Sequence, residues 1–386
     1  HPAFPRPMIP ASEFINSAKG IGYDFYTGVP CSFLTPILNG VISDRRLDYV
    51  GAASEGEAVA IAAGAWLATR KTVVMCQNSG LGNAVNPLTS LNHPFRIPTL
   101  FITTWRGQPG LQDEPQHEVM GQITDRLLET IAIPHDLFPD ESDLISPALE
   151  KADAVMEKTS LPFAFIMKKG SLRDDVLHQA PLPSRPPGEY SCLLENVDRP
   201  SRQQVLERFL GLVPDKAAVI ATTGKCGREL FTLNDRVQHL YQVGSMGCAA
   251  GMGLGVALNT SRSVVVLDGD GASLMKMGTL ATIGAYAPPG LVHIILDNGV
   301  HDSTGGQATV SKHVDFAQVA LACGYARAAS CDSLEGFERA LVNASNGGGP
   351  NLIHMRIIPG SMSPLGRPAV KPCEVARRFK EFLSKN

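Results

Sequence analysis

The chain has 386 residues, 34 Lys and Arg against 37 Asp and Glu, a formal net charge of −3, and 44% hydrophobic residues. So even a charge balance leaves no broad basic field, which excludes nucleic acid and anionic membrane as main partners, and at ~100–200 residues per domain the length suits two or three core-forming domains. The cysteines at 31, 76, 192, 226, 248, 323, 331 and 373 form no C-x-x-C pair, which excludes a zinc ribbon and a thioredoxin-type site and suits reduced thiols in the cytoplasm. The opening stretch HPAFPRPMIP has neither a charged n-region nor an apolar h-region, so no secretory signal is read there.

Taken in chain order, the segment from Ser54 to Leu67 is an Ala-rich helix in which Ser54 and Glu57 fit a capping box. Glu55 is left unexplained by that cap. Short β-rich runs follow at Thr72–Cys76, Thr99–Thr103 and Phe163–Met167, then at Ala218–Thr222, Ser263–Leu267, Val292–Leu296 and Leu352–Ile358. They alternate with helical patterns in both halves, which predicts an α/β fold of two domains, each a parallel sheet flanked by helices. The proline-rich run from Pro181 to Pro187 sets a linker over residues 181–200, between domains at 10–180 and 201–386. The stretch Val243–Leu258 has 16 residues and five glycines, too short for the ~20 that a membrane span needs, and reads as a buried helix.

Ligands of open parallel sheets bind beyond the carboxyl ends of the strands. The polar strand tips are Gln77–Asn83, Thr104–Gly107, Thr223–Lys225, Asp268–Gly271 and Asp297–Gly299. Val264 to Leu267 runs into Asp268-Gly269-Asp270-Gly271 and then into Ala272–Leu280, which reads as one helix. Asp270 and Asn298 are 298 − 270 = 28 positions apart, room for one helix and one parallel strand. Asp-Gly or Asn-Gly alone is a turn dipeptide. Two of them in matching strand-to-tip contexts place a carboxylate and an amide oxygen at neighbouring tips, a donor set that suits Mg²⁺ once diphosphate oxygens complete its shell.

In these residues the sequence resembles the thiamine diphosphate enzymes, whose hallmark is Gly-Asp-Gly followed some two dozen residues later by Asn-Asn. Here Asp297 replaces the first Asn. The resemblance implies Asp270 and Asn298 as Mg²⁺ ligands with the carbonyl of Val300 as a third, and Gly269, Gly271, Ala272, Thr223 and Gly224 around the cofactor. Gly244 would offer a carbonyl to the aminopyrimidine, and Met246 would wedge under the cofactor, its alternative being ordinary core filling. Glu55, nine residues before Gly64, matches the Glu that exchanges a proton with the pyrimidine, with Asn78 and Gly80 nearby. A dinucleotide loop at Gly251–Gly255 is the competing reading, but the third glycine falls one residue early for G-x-G-x-x-G; close helix packing suits these glycines better.

The family usually has three domains, and a two-domain chain resembles its phosphonopyruvate and sulfopyruvate decarboxylase branch. The stretches that carry this are Thr27–Pro30, Gln77–Asn83, Trp105–Gly107, Asp113–His117 and Leu296–Gln307. The branch implies non-oxidative loss of CO₂ from 3-phosphonopyruvate in phosphonate biosynthesis, with sulfopyruvate as the alternative substrate. A carboligase, or a non-catalytic cofactor-binding regulatory protein, is the more distant reading. His117 would handle the product proton. Arg106, Ser32, Ser303 and Thr304 would line the substrate pocket, with Arg106 free either to grip an anion in bidentate fashion or to pair with Asp113 or Glu114. His301 and Asp302 follow the metal ligand and belong to the same neighbourhood. In this family the cofactor lies between domains of different subunits, so the resemblance implies at least a homodimer.

Overall fold

The computed structural model describes residues 8–385, so most of the stretch inspected for a leader, through residue 7, lies outside the described residues. Contacts divide the chain into two units: one runs to Pro181 apart from Leu67–Thr69, and the other holds those three residues and Leu182 onward.

The first unit is built on a six-stranded, wholly parallel sheet. Its strands are β1 (Tyr23–Gly28), β2 (Asp48–Gly51), β3 (Lys71–Cys76), β4 (Leu100–Thr104), β5 (His135–Leu137) and β6 (Phe163–Met167), in the spatial order β2-β1-β3-β4-β6-β5. Every residue of β4 and β6 is buried, as expected of strands covered on both faces, which read as continuous apolar runs instead of alternating ones. One core packs Phe14 and Phe138, with ring centroids 4.7 Å apart, against Phe165; a second, with Val59, Leu81 and Phe101, forms a separate cluster. The Glu55–Leu67 helix is buried along most of its length because Ala at so many positions lets it lie close to its neighbours.

The second unit has a seven-stranded parallel sheet of β7 (Glu189–Leu193), β8 (Ala218–Ala221), β9 (His239–Tyr241), β10 (Val264–Gly269), β11 (Leu291–Asp297), β12 (Arg327–Cys331) and β13 (Asn351–Arg356), ordered β9-β8-β10-β11-β13-β12-β7. Strands β10 and β11 are neighbours, in a register that pairs Gly269 with Leu296, so the two expected ligand tips are adjacent.

Several local expectations are corrected. The helix read over Val243–Leu258 spans only Ala249–Ala257: Gly244, Ser245 and Gly247 have φ of +57°, +47° and +94°, a left-handed run no helix can continue through. Ala272–Leu280 is two helices, Asp270–Met275 and Gly278–Tyr286, parted where Lys276 leaves helical geometry at φ −134°, ψ 50°. Residues 189–193, inside the stretch read as a linker, form the edge strand β7. The glycines of Gly251–Gly255 serve packing: a Cβ on Gly253 would fall 2.3 Å from Val266 Cγ2. All eight cysteines are free, and Cys192 is exposed. No helix of the described residues is long and apolar enough to cross a membrane.

Candidate active site

The tips of β8, β10 and β11 surround one cavity in the second unit. Thr222, Thr223 and Gly224 line it from β8, Gly269 to Ala272 from β10, and Asn298, Val300 and His301 from β11. Met246, Asp302, Ser303 and Thr304 complete the wall. Met246 is half-buried, not core, and its Cε lies 3.2 Å from where a Cβ on Gly271 would stand. His301 Cε1 would be only 2.9 Å from that same Cβ, so a side chain at 271 would push the ends of His301 and Met246 aside within the cavity. Gly244, expected at the aminopyrimidine, is exposed and not part of this lining.

Two side-chain networks hold the tips. Thr309 Oγ1 donates to Asp270 Oδ2 at 2.5 Å and stands 2.9 Å from Ser311 Oγ, and Ser311 Oγ donates to Asp297 Oδ1 at 3.0 Å. The other Asp297 oxygen is 2.8 Å from His354 Nε2. Burial alone would raise the Asp297 carboxyl, but the His354 contact holds it below the usual range. The replacement of the family's Asn by Asp297 therefore has a built partner, a buried histidine on β13. One strand over, His293 bridges Asp268 Oδ2 at 3.0 Å and Tyr325 OH at 3.2 Å, all three buried.

The residues fit a divalent cation and a diphosphate. Burial, together with the nearby Asp297 charge, pushes the Asp270 carboxyl up, although the Thr309 hydroxyl opposes this; a dication beside it would remove that penalty. Thr222 Oγ1 is buried in the cavity wall without a hydrogen-bond partner, and a phosphate oxygen is the kind of group that would satisfy it. Thr222 went unrecognised in the sequence because it reads as the last residue of a strand; its position at a strand tip was the available signal.

In the first unit, Glu55 Oε2 accepts a 2.9 Å hydrogen bond from Asn83 Nδ2, and the rest of its carboxyl lies against Gly80, where a Cβ would come within 2.4–2.6 Å. Glu57 is buried and is fixed locally: its N–H meets Ser54 Oγ at 3.3 Å, while its carboxylate accepts from Ala53 N, one residue beyond the expected capping-box partner. The contrast separates a structural glutamate from one whose carboxyl is half-buried and held by a single amide.

Asn78 departs from its expected contact with a cofactor. It is wholly buried, and its amide is consumed by Arg106 O at 2.8 Å, Thr124 Oγ1 at 3.0 Å and Arg106 N at 3.3 Å, so its side chain braces the β4 tip. Arg106 also departs from a bidentate grip on substrate, because its fork is taken: Nε and Nη2 donate to Asp113 at 2.8 and 2.5 Å. That pairing holds the Asp113 carboxyl well below the ordinary carboxylate range. Only Nη1 is left to face Ser32, whose Oγ is 3.3 Å away, and the guanidinium lies 4.8 Å from the Phe33 ring centroid. His117 is buried, and its Nδ1 has no hydrogen-bond partner. Its backbone presses on Gly107, where a Cβ would fall 2.0 Å from His117 O.

Comparison with known proteins matches a family model to each half of the chain. The model of the thiamine pyrophosphate enzyme N-terminal TPP binding domain matches residues 12–127, and that of the C-terminal TPP binding domain matches residues 223–355. The chain is 50% identical to a phosphonopyruvate decarboxylase of Streptomyces viridochromogenes over 380 residues, 98% of this chain and 96% of that protein. It is 29% identical to a sulfopyruvate decarboxylase of Methanosarcina acetivorans over 385 residues, 97% of each. Among solved structures, a thiamine diphosphate-dependent 4-hydroxybenzoylformate decarboxylase of Rhodococcus jostii shares the fold at TM-score 0.61 and 15% identity, over 92% of this chain and 100% of that one. Through both domain matches and half-identity over nearly its whole length, the chain belongs to the thiamine diphosphate-dependent phosphonopyruvate decarboxylase family of carbon–carbon lyases.

Proposed function

We propose that the protein catalyses the Mg²⁺-dependent, non-oxidative decarboxylation of 3-phosphonopyruvate to phosphonoacetaldehyde and CO₂, as a cytoplasmic enzyme of phosphonate biosynthesis. The observation that carries this is the cavity of the second unit, where Asp270, Asn298 and Val300 meet the unpartnered Thr222 hydroxyl in a chain half-identical to a phosphonopyruvate decarboxylase. Thiamine diphosphate, when bound, supplies the nucleophilic carbon and the electron sink for loss of CO₂.

The chain's own residues position and move protons around it. Asp270, Asn298 and the Val300 carbonyl would hold Mg²⁺, and Thr222, Thr223 and Gly224 the diphosphate oxygens. Met246 would support the cofactor from one side. Glu55, steadied by Asn83, would exchange the proton at the pyrimidine nitrogen. His117 would return a proton to the substrate carbon. Ser32 and the Arg106 Nη1 that donates to it would offer the phosphonate a hydroxyl and a single charged donor. In the family the cofactor lies between domains of different subunits, so the reading takes the working form to be at least a homodimer.

Removal of both cofactors tests this. After dialysis against EDTA, CO₂ release from 3-phosphonopyruvate should vanish and return only when thiamine diphosphate and Mg²⁺ are added together. Turnover that survives dialysis unchanged, or never returns, sinks the proposal.

A further inference from the structure

Asn298 poses a problem that its identity alone does not solve. The two ends of a side-chain amide are nearly the same size, but only the oxygen can ligate a cation, so something must choose which end faces the cavity. We infer that Asp302 makes that choice: it is a positioning residue that captures the Asn298 nitrogen and so presents the oxygen to the cation. The inference rests on the reading of Asp270 and Asn298 as Mg²⁺ ligands.

Asn298 Nδ2 donates to Asp302 Oδ2 at 2.7 Å. An ionised carboxylate is acceptor-only, so it can take the NH₂ end and never the oxygen. Asn298 Oδ1 meanwhile accepts one backbone N–H, that of Val300 at 3.1 Å, and a carbonyl-type oxygen has a second lone pair for a metal. Asp302 itself is too heavily committed to act as the ligand. Arg202 Nη2 donates to its Oδ2 at 2.9 Å, and Gly360 N to Oδ1 at 3.1 Å.

The anchor is rigid. The side chains of Arg202 and Asp302 are only 8% and 12% exposed, and a buried ion pair of this kind resists loss of either member because the other would be left uncompensated. Arg202 also lies 3.5 Å from the buried Glu229, whose Oε1 accepts from Met362 N at 2.8 Å. The chain after β13 is thus tied to the same arginine that fixes Asp302.

The test is equilibrium dialysis of thiamine diphosphate with the full-length protein at stepped Mg²⁺ concentrations, alongside melting curves without metal. Partners outside the ligand shell typically alter metal affinity by ~10–100-fold. Asp302→Asn, whose amide can face Asn298 either way round, should therefore raise the half-saturating Mg²⁺ concentration by about that factor. Asp302→Ser, too short to reach the amide, should do the same and serves if the first variant does not fold. Asp302→Glu, which keeps an acceptor-only carboxylate, should recover most of the loss. Half-saturation within twofold of wild type in a folded Asn or Ser variant overturns the inference, as does an equal loss in the Glu variant. Wild-type protein that takes up no thiamine diphosphate with Mg²⁺ overturns the cofactor reading instead.

Discussion

Gly80→Ala separates the chemistry of Glu55 from the stability of the fold. Gly80 lies inside the Asn78–Pro87 helix, and an added Cβ would stand 2.4 Å from Glu55 Oε1, 2.5 Å from Cγ and 2.6 Å from Cδ. Ordinary contact begins near 3.4 Å, so the end of Glu55 must retreat by roughly 1 Å. The atoms that clash are the far end of a flexible side chain, so relief costs about 0.5–1.5 kcal/mol of rotamer strain. The gain of Ala over Gly in a helix, about 1 kcal/mol, largely offsets it. Tm should stay within about 3 °C of wild type. Activity should not. The 2.9 Å hydrogen bond from Asn83 would be lost, and a catalytic group displaced by roughly 1 Å can cost about 10²-fold. The assay is CO₂ release from 3-phosphonopyruvate at saturating thiamine diphosphate and Mg²⁺, paired with a circular-dichroism melt. A kcat within threefold of wild type would show that Glu55 does not need the position Gly80 gives it. A fall in Tm of about 10 °C would show that the clash is absorbed by the fold instead.

Gly253→Ala should do the reverse, since its Cβ would sit 2.3 Å from Val266 Cγ2 in a buried helix–sheet contact. Overpacking of this kind costs about 1–3 kcal/mol, so Tm should drop by several degrees while turnover per folded molecule holds; an unchanged Tm would refute the close-packing role. The pH dependence of stability should carry a signature of His239, whose burial pushes its pKa down to about 3. Between that value and ~6.5 the unfolded chain binds the proton and the folded chain does not, so stability is full above ~6.5 and declines as pH falls, by at most about 1.4 kcal/mol per unit. His239→Phe should flatten the slope between pH 6 and 4 in urea melts, and an unaltered slope would contradict the assignment.

The parts of the fold that were legible in the sequence are those that bury both faces of a strand. Phe163–Met167 is a continuous apolar run with the predicted ends, whereas Asp48–Gly51, His135–Leu137 and Glu189–Leu193 are short or mixed in character and lie at sheet edges. Tyr23–Gly28 and Arg327–Cys331 are interior and mostly buried yet were not read, because Asp24 and Thr27 in one and Arg327 and Ser330 in the other interrupt the apolar run. Asp270 and Asn298 stood out because each follows an apolar run at a tip. What surrounds them did not, because the partners come from afar. Arg202 opens a helix 100 positions before Asp302, and His354 reaches Asp297 across 57; no local pattern marks either. Side-chain commitments were equally hidden. Nothing local distinguished an Arg106 free for substrate from one whose fork Asp113 occupies, and Asn78 reads as a polar strand tip until its hydrogen bonds are seen to be filled from within the first unit.

The central claim concerns substrate, and competition tests it most directly. With equal concentrations of 3-phosphonopyruvate, sulfopyruvate and pyruvate in one mixture, thiamine diphosphate and Mg²⁺ present, the ratio of the aldehydes formed reports relative kcat/KM. Phosphonoacetaldehyde as the dominant product is the predicted result. Dominance of the sulfonate-bearing aldehyde or of acetaldehyde would contradict it, leaving the decarboxylase chemistry in place but assigning the contacts proposed for Ser32 and Arg106 to another acid.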